Sequence, residues 1–574
     1  MKKKLLVLAL LSVLTGCSSW IQPKQPSIEP VIAPVTQTPA PNSASDLDTE
    51  TLYSLLTAEI AGLRSQFHVA LDNYTSEASK TQNAQIAERA FNIADSLGEE
   101  QNALDNALLW AQLAPNDVKA QRAAAIYLAR TGRLDDAMER MEFVLRNEGE
   151  TNFDFLALSA AQTSSKTRQY LLKNFDALLL RHPQNLQIIF GKALLLEQEG
   201  DNKTAYSILR RHPQSTTTNA TALMLARLLH KLERTEESLP ILRKAVEANP
   251  EDNQLRMFYA RVLIELNQLE SARTQFLEML LRNPEDDDLR LSLALINMDM
   301  EAWVEAKTYL EDLINRESLT DSAHYYLGRT HEELQDLEQA LISYDLVRDG
   351  ANYLPAQYRY AEILLQQKQF DQVSRHFARE RRSHPNDAVD LYLIEIEGLN
   401  RQGETERAWQ LANQGIDETL DQKLYYTRAM LADARKDLKQ LEADLRHILE
   451  KEPENSMALN ALGYSLLDIE GRLEEAGQLI IKAHELDPED AATLDSLGWY
   501  YYKTNQLNKA EEYLRQAFTA YPDAEVAAHL GEALWALNKK REAKRIWAQA
   551  LKTQPDNKLL QDTMQRLLET KESK

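Results

Sequence analysis

Small and bulky residues recur along this chain at a fixed interval. Ala226, Ala260, Ala294 and Gly328 stand 34 residues apart, as do Ser238, Ala272, Ala306 and Ala340, and likewise Leu242, Phe276, Leu310 and Tyr344. A closely similar interval returns near the C-terminus in Gly463, Gly498 and Gly531, in Ala476, Ala510 and Ala543, and in Pro488, Pro522 and Pro555. The pattern predicts two antiparallel helices per unit, with the small residue of the first helix against that of the second so that the backbones approach closely. Five residues before the second small position the chain must reverse, and a residue tolerant of left-handed backbone is expected there. Gly132, Gly200, Asn267, Gly403, Gly471, Asn505 and Asn538 occupy that place. Segments such as Asn249-Pro-Glu-Asp252 and Asp487-Pro-Glu-Asp490 stop one helix and set carboxylates at the start of the next, where they complement its dipole.

A period of about 34 residues, with small residues at two sites, a bulky one after the second and Pro at the end, resembles the tetratricopeptide repeat, TPR. The resemblance implies an all-α, right-handed superhelical solenoid with roughly fifteen units between Thr51 and Leu568. The pattern weakens at 149–182, at the polar stretch Ser215-Thr-Thr-Thr-Asn219 and at Asp349-Gly-Ala-Asn-Tyr-Leu-Pro355. These places divide the repeats into an N-terminal arm (48–212), a middle segment (213–385) and a C-terminal segment (386–574). Boundaries in such an array are soft, because each repeat contacts mainly its neighbours.

Ahead of the repeats the pattern changes. Lys2, Lys3 and Lys4 precede an apolar run from Leu5 to Leu14, which reads as a secretory signal and is too short to cross a bilayer. The run ends in Leu14-Thr-Gly-Cys17, which resembles the lipobox of bacterial lipoproteins, so residues 1–16 are expected to be removed and Cys17 acylated. Ser18 and Ser19 follow, with no Asp; by resemblance to Gram-negative sorting rules this favours the outer membrane, facing the periplasm. Residues 17–47 are rich in Pro and Ser and read as a tether, reaching at most about 90 Å at ~3.1 Å per residue. Just beyond it Leu52, Leu55, Leu56, Ile60 and Leu63 form an amphipathic stripe. Two roles are open to that stripe: packing on the next helix, Phe67 to Ala78, or docking a partner.

Composition narrows the function. The 574 residues carry 88 acidic and 65 basic side chains, a formal charge of −23, which argues against a nucleic-acid partner. Much of that charge is helix punctuation and solvated face. The single Cys excludes a disulfide framework and a Cys-ligated zinc site. No phosphate loop, nucleophile elbow or HExxH helix occurs, and acidic runs such as Pro284-Glu-Asp-Asp-Asp288 lack the alternation of a calcium loop. The chain therefore reads as a non-enzyme, with no metal or cofactor expected. The basic run Ala378-Arg-Glu-Arg-Arg-Ser-His384 reads as favourable charge at a helix C-terminus.

A TPR array offers surface. By the family's geometry, the groove-facing positions of the last full repeats are Asn460 and Tyr464, then Asp495, Trp499 and Tyr502, then Trp535. Trp499 and Tyr502 share a helix face at i,i+3. Two readings stand: an aromatic ladder for a bound peptide, or large side chains packed between repeats. The basic clamp that some TPRs use for a free C-terminus is not evident.

A closer resemblance lies in Tyr53–Gly62, Phe153–Ala161, Phe190–Leu196, Leu494–Trp499 and Val526–Trp535. These stretches look like those of a pseudomonad TPR lipoprotein, the partner of a periplasmic carboxyl-terminal processing protease. The resemblance implies an adaptor that holds the protease at the outer membrane and presents substrates, notably cell-wall cross-link hydrolases. It further implies that the Leu52 to Leu63 helix meets the protease. The alternative is a scaffold for an outer-membrane secretion or envelope-assembly machine without proteolysis.

Overall fold

The computed structural model describes residues 48–147, 149 and 151–569. Among these are 31 α-helices and four short 3-10 turns, with no strand, as the periodicity predicts. The signal, Cys17 and the tether lie outside the described residues.

One repeat shows how sequence makes the unit. Its helices are Ala491–Lys503 and Leu507–Ala520. The first begins because the Asp490 carboxylate accepts the Thr493 N–H at 2.8 Å, satisfying one of the donors orphaned at a helix start. It ends where Asn505 turns left-handed, at φ 60°, and the Gln506 N–H closes onto the Tyr501 carbonyl at 2.8 Å. Gly498 faces the second helix so closely that a Cβ there would lie 2.6 Å from Leu514 Cγ. Ala510, Leu514 and Ala517 complete the contact and are fully buried.

The reversal rule holds throughout. All seven residues expected to tolerate left-handed backbone have φ between 57° and 84°. Glu233, Glu301, Gln335, Lys368 and Lys436 adopt the same conformation at the same place in their repeats, without a side chain that favours it. The acidic stops also behave as expected: Asp252 and Asp286 accept the N–H groups of Leu255 and Leu289 at 2.9 and 3.0 Å.

Backbone packing divides the chain into two compact units, one ending at Ser318 and one beginning at Leu319. The first has a continuous core built largely on alanine, including Ala87, Ala90, Ala94, Ala103, Ala107, Ala120 and Ala124, which lets successive helices lie close together. Phe153, Phe175 and Phe276 are its largest fully buried rings. The second has separate clusters: one around Tyr344, Phe377 and Tyr392, another around Leu445, Leu462 and Ile480, and a third around Trp547. The basic run falls at the end of helix Phe370–Ser383, where Arg381 and Arg382 occupy the last turn. Arg381 is buried, bonded to Glu395 at 2.7 Å and lying 4.0 Å above the Tyr392 ring.

Candidate partner-binding surfaces

The first surface is the N-terminal helix, Thr49–Leu63. Asp48 caps it by accepting the Thr51 N–H at 2.7 Å, and Lys80 of the next helix ties its start through Asp48 and Glu50, each at 3.3 Å. The two-helix contact runs through Thr51, Ala58 and Ala61, which are buried, with Leu55 partly covered. Tyr74 of the second helix donates to Glu59, and burial together with that carboxylate pushes its phenol up to about 12.

Of the leucine stripe only Leu55 packs against the core, and the other four face outward, which corrects the first of its two open roles for those four. Leu52, Leu56, Ile60 and Leu63 are exposed, Leu63 by 84%, and Tyr53 beside them is 73% exposed. Phe67 and Val69, at the start of the next helix, are exposed as well. Alanines need less depth than leucines, so the Ala58 and Ala61 side takes the intramolecular contact and the bulky side is left outward.

The second surface lies on the first helices of the last repeats, Ser456–Leu466, Ala491–Lys503 and Ala524–Ala536. Trp499 stacks on Tyr502, with centroids 4.7 Å apart and planes 9° from parallel, so the i,i+3 expectation is met. Trp499 also stacks on His529 at 4.2 Å, a neighbour that the spacing of aromatic residues does not announce. His529 is buried and bonds through Nδ1 to Asp495 Oδ2 at 2.9 Å. Burial opposes charge on this imidazole, but the Asp495 carboxylate outweighs it, and His529 titrates above the ordinary range.

Around this stack the tyrosine hydroxyls and carboxylates satisfy one another. Tyr464 donates to Glu525 Oε1 at 2.7 Å, a bond spanning 61 residues of sequence, and burial with Glu525 raises its phenol far above the usual value. Tyr502 donates to Glu532 Oε1 at 3.0 Å, and Arg566 of the last helix meets Glu532 Oε2 at 2.5 Å. The Asn460 Oδ1 is buried without a hydrogen-bond partner. Trp535 does not join the ladder. It turns toward the second helix of its own repeat, stacking on the fully buried Trp547 at 5.7 Å with Lys540 5.0 Å from its ring. The structure thus brings Tyr464, Asp495, Trp499 and Tyr502 together and leaves Trp535 apart.

The signal for His529 is weak but present: it stands 34 residues after Asp495, one repeat on. An acid and a base at the same register of successive first helices can face each other across the repeat interface.

Comparison with known proteins agrees with this architecture. Tetratricopeptide-repeat patterns match residues 229–296, 291–355 and 491–521. The TPR repeat-containing protein PA4667 of Pseudomonas aeruginosa is 51% identical over 534 residues, spanning 93% of this chain and 90% of that protein. The bacteriophage adsorption protein A of Escherichia coli is 28% identical over 113 residues, covering 20% of this chain and 11% of that one. Among solved structures, a thermophilic TPR protein of Thermus thermophilus matches 31% of this chain and 97% of its own length, at 21% identity and a TM-score of 0.28. The extent and identity of the Pseudomonas match, together with the repeats seen in sequence and structure, place this chain in the family of tetratricopeptide-repeat proteins.

Proposed function

We propose that this protein is a non-catalytic, lipid-anchored adaptor, holding a periplasmic carboxyl-terminal processing protease near its cell-wall hydrolase substrates at the outer membrane. The repeats are suited to protein–protein contact, and the observation that carries the reading is the outward apolar face of the first helix. End repeats of a solenoid need a polar outer face to stay soluble. Here the end presents Leu52, Leu56, Ile60 and Leu63 to solvent, as a docking surface would. The protease as its occupant, and Cys17 as the lipid anchor, rest on the sequence resemblances stated above. No helix among the described residues is long and apolar enough to cross a membrane. Acylated Cys17 would hold the chain instead, with the tether setting its reach. Binding enzyme and substrate to one scaffold makes their encounter nearly intramolecular.

The test is co-purification of full-length protein and protease, comparing wild type with a Leu56→Glu, Leu63→Glu variant. The variant should lose the protease while its helices melt as before. Normal turnover of the protease's substrates in cells lacking this protein would sink the adaptor reading. Capture of barrel or export proteins in place of a protease would favour an envelope-assembly scaffold.

A further inference from the structure

In the second unit, Asp345 ends helix Leu337–Asp345, and His376 and Glu380 sit one turn apart on helix Phe370–Ser383. One ligand atom from each lies within 4.8 Å of the others. His376 and Glu380 are almost wholly buried, each side chain 3% exposed, while Asp345 opens to solvent at 33%. Ligands ~2.1 Å from a tetrahedral ion stand roughly 3.4 Å apart. The His376 Nδ1 to Asp345 Oδ1 distance is already 3.3 Å.

Two features go beyond proximity. First, a cation already sits among these atoms: the Arg379 guanidinium donates through Nη2 to Asp345 and to His376 Nδ1, the latter at 3.0 Å, and through Nε to Glu380 Oε1 at 2.9 Å. A guanidinium can only donate, so His376 Nδ1 accepts in the contact with Arg379, while the Asp345 carboxylate, 3.3 Å from the same nitrogen, takes its proton in the other tautomer. Second, the opposite ring nitrogen of His376 meets Gln357 Oε1 at 2.6 Å in a buried contact, and the ring stacks on Tyr360 at 3.8 Å. In the tautomer that accepts from Arg379 the proton sits on Nε2 and is held by this outer partner, the support that metal-binding imidazoles use. The Tyr353 hydroxyl takes Glu380 Oε2 at 3.0 Å, leaving Oε1 turned to the cation. Arg379 itself is 52% exposed, so water can take over its hydrogen bonds when another cation displaces it.

We propose that Asp345, His376 and Glu380 form a site for a divalent transition cation of the Zn²⁺ kind, which displaces the Arg379 guanidinium and clasps the helices of adjacent repeats. One imidazole and two carboxylates, with water in the fourth position, are a donor set that such ions accept. Arg379 is a competing internal cation that keeps the metal-free repeats joined. This proposal is independent of the adaptor reading.

The experiment is Zn²⁺ titration of chelator-stripped full-length protein in detergent, by calorimetry, with Co²⁺ absorption as a check on the ligands. Wild type should bind one tight equivalent, with His376 and carboxylate ligation in the Co²⁺ spectrum. Arg379→Gln should bind about tenfold tighter or more, because a competing positive charge is gone. Asp345→Asn and His376→Gln should each lose the tight equivalent. Asp345 lies at the helix end and half-open to water, so D345N keeps the test valid if H376Q melts. Unchanged Zn²⁺ binding in D345N and R379Q would overturn the proposal, as would a wild type with no tight equivalent.

Discussion

The first helix and the last repeats both carry side chains of the kind found at protein interfaces, but they hold them differently. At the N-terminus, Leu52, Leu56, Ile60 and Leu63 touch solvent because Ala58 and Ala61 have taken the internal contact. In the last repeats Trp499 stacks on both Tyr502 and His529, and Tyr464, Tyr502, Asp495 and Glu532 all have partners within the chain. Residue type alone does not separate these cases. What separates them is whether the protein itself supplies the neighbour. An apolar group without one gains by associating, at roughly 25 cal/mol per Å² covered. A polar group already paired must first break that pair.

That contrast can be broken by substitution. The largest effect should come where the last repeats pack tightest. Trp547→Ala empties a fully buried site against Gly531, where even a Cβ would collide with the indole, and should cost about 3–5 kcal/mol in chemical denaturation. Asp495→Asn leaves His529 buried without its counter-charge and should cost about 3 kcal/mol. This second loss carries a pH signature. His529 has a raised value in the fold, so the pair's contribution is complete below about pH 6.5 and fades as pH climbs through the raised value. Melting temperatures of wild type and D495N should therefore converge with rising pH, and a constant gap would refute the ion pair.

At the other end the effects should be small. Gln82 closes helix Phe67–Thr81 in a left-handed conformation, φ 51°, that only its place in the fold demands. Gln82→Gly should gain about 1 kcal/mol, read from the denaturation midpoint. The smallest change is expected for Leu56→Glu with Leu63→Glu, within about 0.5 kcal/mol of wild type, because both side chains face water. A large loss there would mean that the stripe is a packing surface, and the contrast between the two ends would collapse.

How far the sequence disclosed this depends on what each residue type can signal. The helix pairs were legible because close approach demands Gly or Ala at fixed places, and Gly498 against Leu514 shows the demand directly. Reversals at Gly132 or Asn505 were legible for a similar reason. Those at Glu301 and Lys368 were not, since nothing in a Glu or Lys side chain announces left-handed backbone. The Trp499–Tyr502 stack followed from helix geometry. The Trp535 stack on Trp547 was not legible, because Trp535 lies at the end of its helix and its ring partner sits on the other helix of the repeat. His529 was missed because a lone His on an apolar helix reads as core until its acid, one repeat away, is seen. For the leucine stripe the periodicity revealed a face but not its direction, which small residues on the opposite side decided.

The Tyr464–Glu525 bond has a consequence for how the chain comes apart. An ideal repeat array couples only adjacent units, so it can fray from its end one repeat at a time. This bond joins the first helices of repeats that are not neighbours, with Trp499 and His529 stacked beside it. Releasing the outer of those repeats also removes a restraint on the inner one. The three should open as a single cooperative block, with amide protons from Ser456 to Ala536 exchanging together rather than in order from the C-terminus.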